Sequence, residues 1–268
     1  MIKNLLTLIL LLLFSIQSNA QNDIEYLNSS NLKDSIPFKV FKSDKFNIKS
    51  DSINLIVLLD GDSYSGLAIN SIDLFEFADK VNSTIIVSLP STVEYRWKYF
   101  TPTNATPRKG DRNKELYKFT GEFQDYANFV EKELIPFIEK ENKIQFRNKT
   151  LFGHSLGGLA VLNFVVLKPG VFDNYICASP STMFDNHFIF ETLKEKENIE
   201  FKNLFLTAAE NDGNGYKGNV EWLNNYLIEN NQPNQSLQMK IIIGQNHTTS
   251  GIYSLIEGID FLSKQNAL

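Results

Sequence analysis

The chain is poor in several things at once, and each scarcity excludes something. It has one cysteine, Cys177, in 268 residues, so no internal disulfide can form and stability in an oxidising compartment must come from the core. The setting Tyr175-Ile176-Cys177-Ala178 reads as a buried strand, where a free cysteine behaves as a small hydrophobe. Basic charge is short: 26 Lys and Arg stand against 31 Asp and Glu, a net charge of −5. That balance lacks the broad basic field of a nucleic-acid partner. Proline (8) and glycine (14) are few and scattered, so no linker, repeat or low-complexity tract divides the chain. At 43% hydrophobic and 21% charged, residues 21–268 are expected to build one domain around one large core.

Long apolar runs are confined to the N-terminus. Lys3 precedes the apolar stretch Leu5 to Ile16, and Ser18-Asn19-Ala20 places small residues at a cleavage position. The stretch is shorter than the roughly 20 residues that cross a bilayer, and the order positive, apolar, small is that of an export signal over residues 1–20. This predicts a mature chain that begins at Gln21 and is exported, periplasmic or secreted. No cysteine beside the site could accept a lipid, and no later segment supports stable membrane insertion after signal removal.

What the sequence does contain is an alternation of strand and helix patterns. Segments such as Phe38-Lys39-Val40-Phe41, within 22–50, suit antiparallel edge strands. From Asn54 onward, strand runs are expected at Leu55–Leu59, Thr84–Val87, Thr150–Phe152, Tyr175–Ala178, Leu204–Ala208 and Met239–Ile243. Helical spacing follows at Ile69–Val81, Gly121–Lys140, Leu156–Leu167, Phe188–Glu197, Val220–Glu229 and Ile252–Ser263. Repeated β-then-α order implies right-handed crossovers and a mainly parallel central sheet with helices on both faces, a three-layer αβα sandwich. In such sheets, chemistry lies on the loops beyond the carboxyl ends of the strands.

One of those loops is Gly153-His154-Ser155-Leu156-Gly157. A strand before it and a helix after it are the context of a nucleophile elbow, in which Ser155 would be the nucleophile of an α/β-hydrolase fold. A serine hydroxyl needs a base, and the chain offers His154, His187 and His247. His154 sits inside the elbow and is expected to turn away as a packing or hydrogen-bonding residue; His187 sits near a helix start. His247 follows the strand Ile241-Ile242-Ile243 near the C-terminus, where the order serine, acid, histidine places the base. The acid is expected in Ala208-Ala209-Glu210-Asn211-Asp212-Gly213, with Asp212 first and Glu210 as its rival. Backbone donors for an oxyanion are expected from Leu156 and from Gly61 or Asp62, in the loop Asp60-Gly61-Asp62-Ser63-Tyr64.

The segments Leu58-Leu59-Asp60-Gly61-Asp62, Arg96 with Tyr99-Phe100-Thr101-Pro102, Glu133-Leu134-Ile135-Pro136-Phe137-Ile138, Gly153 to Gly158 and Ser179-Pro180-Ser181 extend the argument. Together they resemble the putative-esterase (esterase D-like) family of α/β hydrolases, from about Asn54 to the C-terminus. The resemblance implies a catalytic pair at Ser155 and His247, no metal or organic cofactor, and a small-molecule ester as partner. The family's acid loop usually has a glycine three residues before the acid; here Ala209 replaces it and Asp212 matches. The Arg96 to Pro102 segment is most similar to the siderophore trilactone esterase branch; Arg96, Tyr99, Tyr64 and His154 are the candidate substrate contacts. Lys98, Arg108, Lys109 and Arg112 add cations that would suit an anionic substrate. The rival functions are a non-catalytic binding protein on the same fold and an acyltransferase.

Overall fold

Six strands line up in parallel; five are apolar runs buried along most of their length and covered on both faces, and the sixth is a more exposed edge. In the computed structural model, which describes residues 23–213, 215–230 and 233–268, they are β3 (Asn54–Leu59), β4 (Thr84–Leu89), β5 (Asn148–His154), β6 (Asn174–Ala178), β7 (Asn203–Asn211) and β8 (Ser236–Asn246). An antiparallel pair, β1 (Glu25–Ser29) and β2 (Asp34–Lys42), extends the β4 edge, and the sheet order is β1-β2-β4-β3-β5-β6-β7-β8. The predicted export signal at residues 1–20 lies outside the described residues.

Side-chain alternation along β3 divides the core in two. Leu55, Val57 and Leu59 join a cluster on one face, while Ile56 and Leu58 join a second cluster on the other. The second face is covered by α1 (Gly61–Phe77) and, at the end of the chain, α8 (His247–Lys264). The first is covered by α2 (Val93–Tyr99), α3 (Phe123–Phe129), α4 (Ile135–Asn142), α5 (Leu156–Leu167), α6 (Phe188–Lys194) and α7 (Tyr216–Glu229). The sheet is therefore mainly parallel with helices on both sides, the three-layer α/β-hydrolase arrangement.

Two elements depart from the sequence pattern. The segment Asp60 to Tyr64 is not a loop: α1 starts at Gly61, with Asp60 as a left-handed N-cap at φ 54°. Its buried face is Tyr64, Ala68, Ile72 and Glu76, whereas Ala78 is exposed beyond the helix. Polar residues in the first turn hid a helix start that the later apolar spacing alone could not locate. The long helix expected over Gly121–Lys140 runs from Phe123 to Asn142 with helical backbone throughout, and a π turn at Val130–Leu134 joins α3 to α4 within it. The extra residue aims Glu133 at the β1–β2 turn, where its carboxylate accepts from the Ser29 hydroxyl (2.5 Å) and the Ser30 amide (3.0 Å).

Candidate active site

Strand β5 ends at His154 and α5 begins at Leu156, so Ser155 alone makes the turn, at φ 60° and ψ −114°. A non-glycine residue holds such a conformation only when its surroundings impose it. Here the Ser155 amide donates to the Ala178 carbonyl (2.9 Å), and its carbonyl accepts from the amides of Leu159 (3.0 Å) and Ser181 (2.9 Å). The glycines make room. A Cβ on Gly153 would lie 2.3 Å from the Gly157 carbonyl oxygen, and one on Gly158 would lie 2.8 Å from that of Ala178.

His247 arrives from the end of β8. Asn246 caps α8, accepting from the amides of Thr248 (3.0 Å) and Thr249 (3.2 Å), and this makes His247 the first residue of the helix. Its Nε2 lies 2.9 Å from Ser155 Oγ and its Nδ1 lies 2.7 Å from Asp212 Oδ1. A carboxylate can only accept, so Nδ1 carries the hydrogen and Nε2 presents a lone pair to the serine hydroxyl.

Asp212 follows a slip in the β7–β8 register between Ala209 and Asn211, and its side chain has no exposed surface. Its second oxygen accepts from the Ala209 amide (3.0 Å). Burial pushes the carboxyl upward, but hydrogen bonds from His247, Ser179 and the Ala209 amide outweigh it and hold Asp212 below its ordinary value. Glu210 instead accepts from the Gly244 amide (2.8 Å), and His187 lies against the Phe190 ring (5.5 Å between centroids). Of the three histidines His247 is the one that bonds Ser155 Oγ, and of the two acid candidates Asp212 is the one that bonds His247.

His154 turns away from the serine and braces the base. Its Nε2 is 2.7 Å from the His247 carbonyl, which also accepts from Ser250 Oγ (3.0 Å). Burial, then the neighbouring His247, push its imidazole down to about 4. It is therefore neutral near pH 7 and donates through Nε2–H, since a carbonyl cannot donate.

Ser155 lies where two recesses meet. One, of about 390 Å³, is lined by Leu156, Trp97, Arg108, Tyr117, Phe184 and Tyr216 among others. The other, of about 450 Å³, is lined by Asp62, Tyr64, His154, His247, Thr248 and Ile252 among others. Arg96 borders both; its Nε contacts Asp60 Oδ1 at 2.9 Å and its guanidinium reaches the His154 carbonyl at 3.4 Å. Leu156 and Asp62 occupy the first and second positions of α5 and α1, where amides have no helical acceptor.

Two expected contacts fail. Tyr99 is 2% exposed and stacks on Tyr126 in the core (5.5 Å, 21°); it lines neither recess, whereas Arg96, one turn earlier on α2, lines both. Gly61 lines neither recess. Its missing side chain serves packing on β4, since a Cβ would fall 2.1 Å from Ser88 Oγ and 2.8 Å from the Leu89 amide nitrogen. Of the nearby cations, Lys98 pairs with Glu122 (3.3 Å) and Arg108 donates to Asn186 Oδ1 (2.8 Å), while Lys109 and Arg112 are exposed.

Two neighbours of Ser155 were not singled out as site residues from sequence. Ser181 Oγ lies 3.3 Å from Ser155 Oγ and 3.3 Å from the Tyr216 hydroxyl, and the Tyr216 ring lies over His247 with centroids 4.2 Å apart. The available signal was Ser179-Pro180-Ser181: it follows β6, the strand beside the nucleophile strand, so its loop had to border the elbow. Among the described residues, no group of three or more His, Cys, Asp or Glu is placed to hold a metal ion.

Comparison with known proteins agrees with this architecture. A stretch of 96 residues is 38% identical to the ferri-bacillibactin esterase BesA of Bacillus subtilis, spanning 34% of this chain and 33%, about a third, of that protein. An IroE-like serine hydrolase from Shewanella oneidensis has a similar fold, with a TM-score of 0.79 at 22% identity over 92% of this chain and 82% of its own. So does the siderophore hydrolase EstA from Aspergillus nidulans, with a TM-score of 0.77 at 20% identity over 94% and 98%. The family described as "Putative esterase" matches residues 29–267, nearly all of the described chain, and the protein belongs to that family of α/β hydrolases.

Proposed function

We propose that the protein is an exported serine esterase that hydrolyses carboxylic esters through an acyl-enzyme on Ser155. The observation that carries this is the hydrogen-bonded line from Ser155 Oγ through His247 to the buried Asp212 carboxylate. Ser155 attacks the ester carbonyl while His247 Nε2 takes its proton; the carbonyl electron pair moves onto oxygen, held by the Leu156 and Asp62 amides. Collapse breaks the bond to the alcohol, which leaves with the proton from His247. Water then repeats the sequence and releases the acid.

A siderophore ester is the preferred substrate class. The likeness to ferri-bacillibactin esterase over a third of that protein supports it. A hydrolysis screen across siderophore trilactones, aryl esters, sugar-linked esters and simple acyl esters tests this choice. Export rests on the pattern of residues 1–20; N-terminal sequencing of the mature protein should begin at Gln21, and an intact Met1 would overturn it.

Replacing Ser155 with Ala should lower turnover of a p-nitrophenyl acyl ester by roughly 10³-fold or more and abolish labelling by a fluorophosphonate. Turnover near the parent rate would refute the nucleophile. A wild-type protein inert to both reagents would mark a binding protein on a hydrolase fold. Acyl transfer to added glycerol in excess of hydrolysis would mark an acyltransferase.

A further inference from the structure

Ser155 Oγ has a neighbour on the side away from its base. Its own hydrogen points to His247 Nε2, because the Nδ1–H···Asp212 contact leaves Nε2 as an acceptor. Any further hydrogen bond at Ser155 Oγ must therefore be one it accepts. Ser181 Oγ, 3.3 Å away, is then the donor, and the lone pairs left on Ser181 can accept from the Tyr216 hydroxyl at 3.3 Å. The direction of every hydrogen bond in the line Tyr216, Ser181, Ser155, His247, Asp212 is fixed by the carboxylate at its end.

We propose that Ser181 and Tyr216 form a hydroxyl relay that hydrogen-bonds Ser155 Oγ opposite His247 and stabilises the negative charge this oxygen carries when it attacks and when it leaves. This rests on the assignment of Ser155 as nucleophile. In acylation the Ser155 O–H bond breaks towards His247 as the Oγ–C bond forms. In deacylation the C–Oγ bond breaks and Oγ takes the proton back from the imidazolium. In both transition states Oγ is partly anionic, and no proton leaves Ser181 or Tyr216; they donate hydrogen bonds only.

The distances favour this differential role. At 3.3 Å the hydroxyl contacts are longer than the usual 2.7–2.8 Å between neutral hydroxyls, whereas bonds to an anionic oxygen contract to about 2.5–2.7 Å. An interaction slack in the resting enzyme and tight in the transition state raises kcat rather than substrate affinity. The fold holds the parts in register. The Ser181 amide donates to the Ser155 carbonyl (2.9 Å), and Tyr216 opens α7 behind Gly215 with its ring over His247. Ser181 touches the reacting oxygen and is a catalytic residue; Tyr216 acts through it and is a positioning residue.

The test is a double-mutant cycle with Ser181→Ala, Tyr216→Phe and the pair, plus Ser181→Thr to restore the hydroxyl. It reads kcat and KM on a p-nitrophenyl ester, the rate of fluorophosphonate inactivation, and Tm. Ser181→Ala should lower kcat and the inactivation rate about 10- to 100-fold with KM and Tm little changed, and Ser181→Thr should recover most of the loss. Tyr216→Phe keeps the ring over His247 and should lose less than Ser181→Ala. The double variant should be no worse than Ser181→Ala alone, because Tyr216 acts only through Ser181. Wild-type kcat in Ser181→Ala, or additive losses, would overturn the relay. A wild-type protein that fluorophosphonate does not label fails the nucleophile itself, a result separate from either.

Discussion

Single residues carry the chemistry, and their legibility depended on whether position in the chain order was enough. Ser155, His247 and Asp212 could be picked because each follows a strand of a parallel sheet, and such loops converge at one edge; the structure brings all three into one hydrogen-bonded line. Tyr99 could not be excluded from sequence, since Arg96 and Tyr99 are one helical turn apart and only the packing of Tyr126 against the end of the helix buries Tyr99. Ser181 was marked only by the place of Ser179-Pro180-Ser181 after β6, and Tyr216 by nothing, because a hydroxyl that bonds another hydroxyl leaves no pattern of its own. Asp212→Asn replaces a pure acceptor by an amide, which permits the wrong imidazole tautomer. It should lower kcat by roughly 10²–10⁴-fold with KM nearly unchanged; a loss below about tenfold would show that Ser155 and His247 suffice as a pair.

Elements set where those residues stand. The parallel strands were readable because burial on both faces leaves unbroken apolar runs, as in β3 and β4, where every residue is buried. The starts of α1 and α8 were not. Both open on polar residues with no apolar spacing, so the sequence pattern puts Asp60 to Tyr64 in a loop and starts the last helix at Ile252 rather than His247. The cap at Asn246 has a double role, because the residue it orders next is His247. Asn246→Ala should cost about 1 kcal/mol of stability and also lower kcat; chemical denaturation and steady-state kinetics on the same sample would separate the two effects. Stability loss with unaltered kcat would mean that the bonds from His154 and Ser250 to the His247 carbonyl hold the base unaided.

At the scale of the whole molecule, buried ionisable groups decide how folding responds to acid. His154 takes its proton at 6.5 when exposed and at about 4 when folded. Between these values the unfolded chain binds a proton that the folded chain refuses, so stability is complete above pH 6.5 and declines as pH falls towards 4. The loss approaches about 3 kcal/mol from this one group. Asp212, held below its ordinary 3.8, adds a further loss as pH drops below that value. His154→Gln keeps an N–H for the His247 carbonyl and cannot titrate; denaturant midpoints measured from pH 7 to 4 should fall less steeply than in the parent, and equal slopes would remove His154 as the cause. The overall architecture was legible from the order of strands and helices, but the shape of the cleft was not, because it is set by α2, the 104–120 segment and the turn after β6, none of which follows a repeating pattern. That cleft has two recesses that share only Ser155 and Arg96 in their linings. On the acyl-enzyme reading proposed above, an ester with its carbonyl at Ser155 would lay its acyl and alcohol parts in different recesses, so the side chains of one would select the acid and those of the other would select which hydroxyl, water included, meets the acyl group.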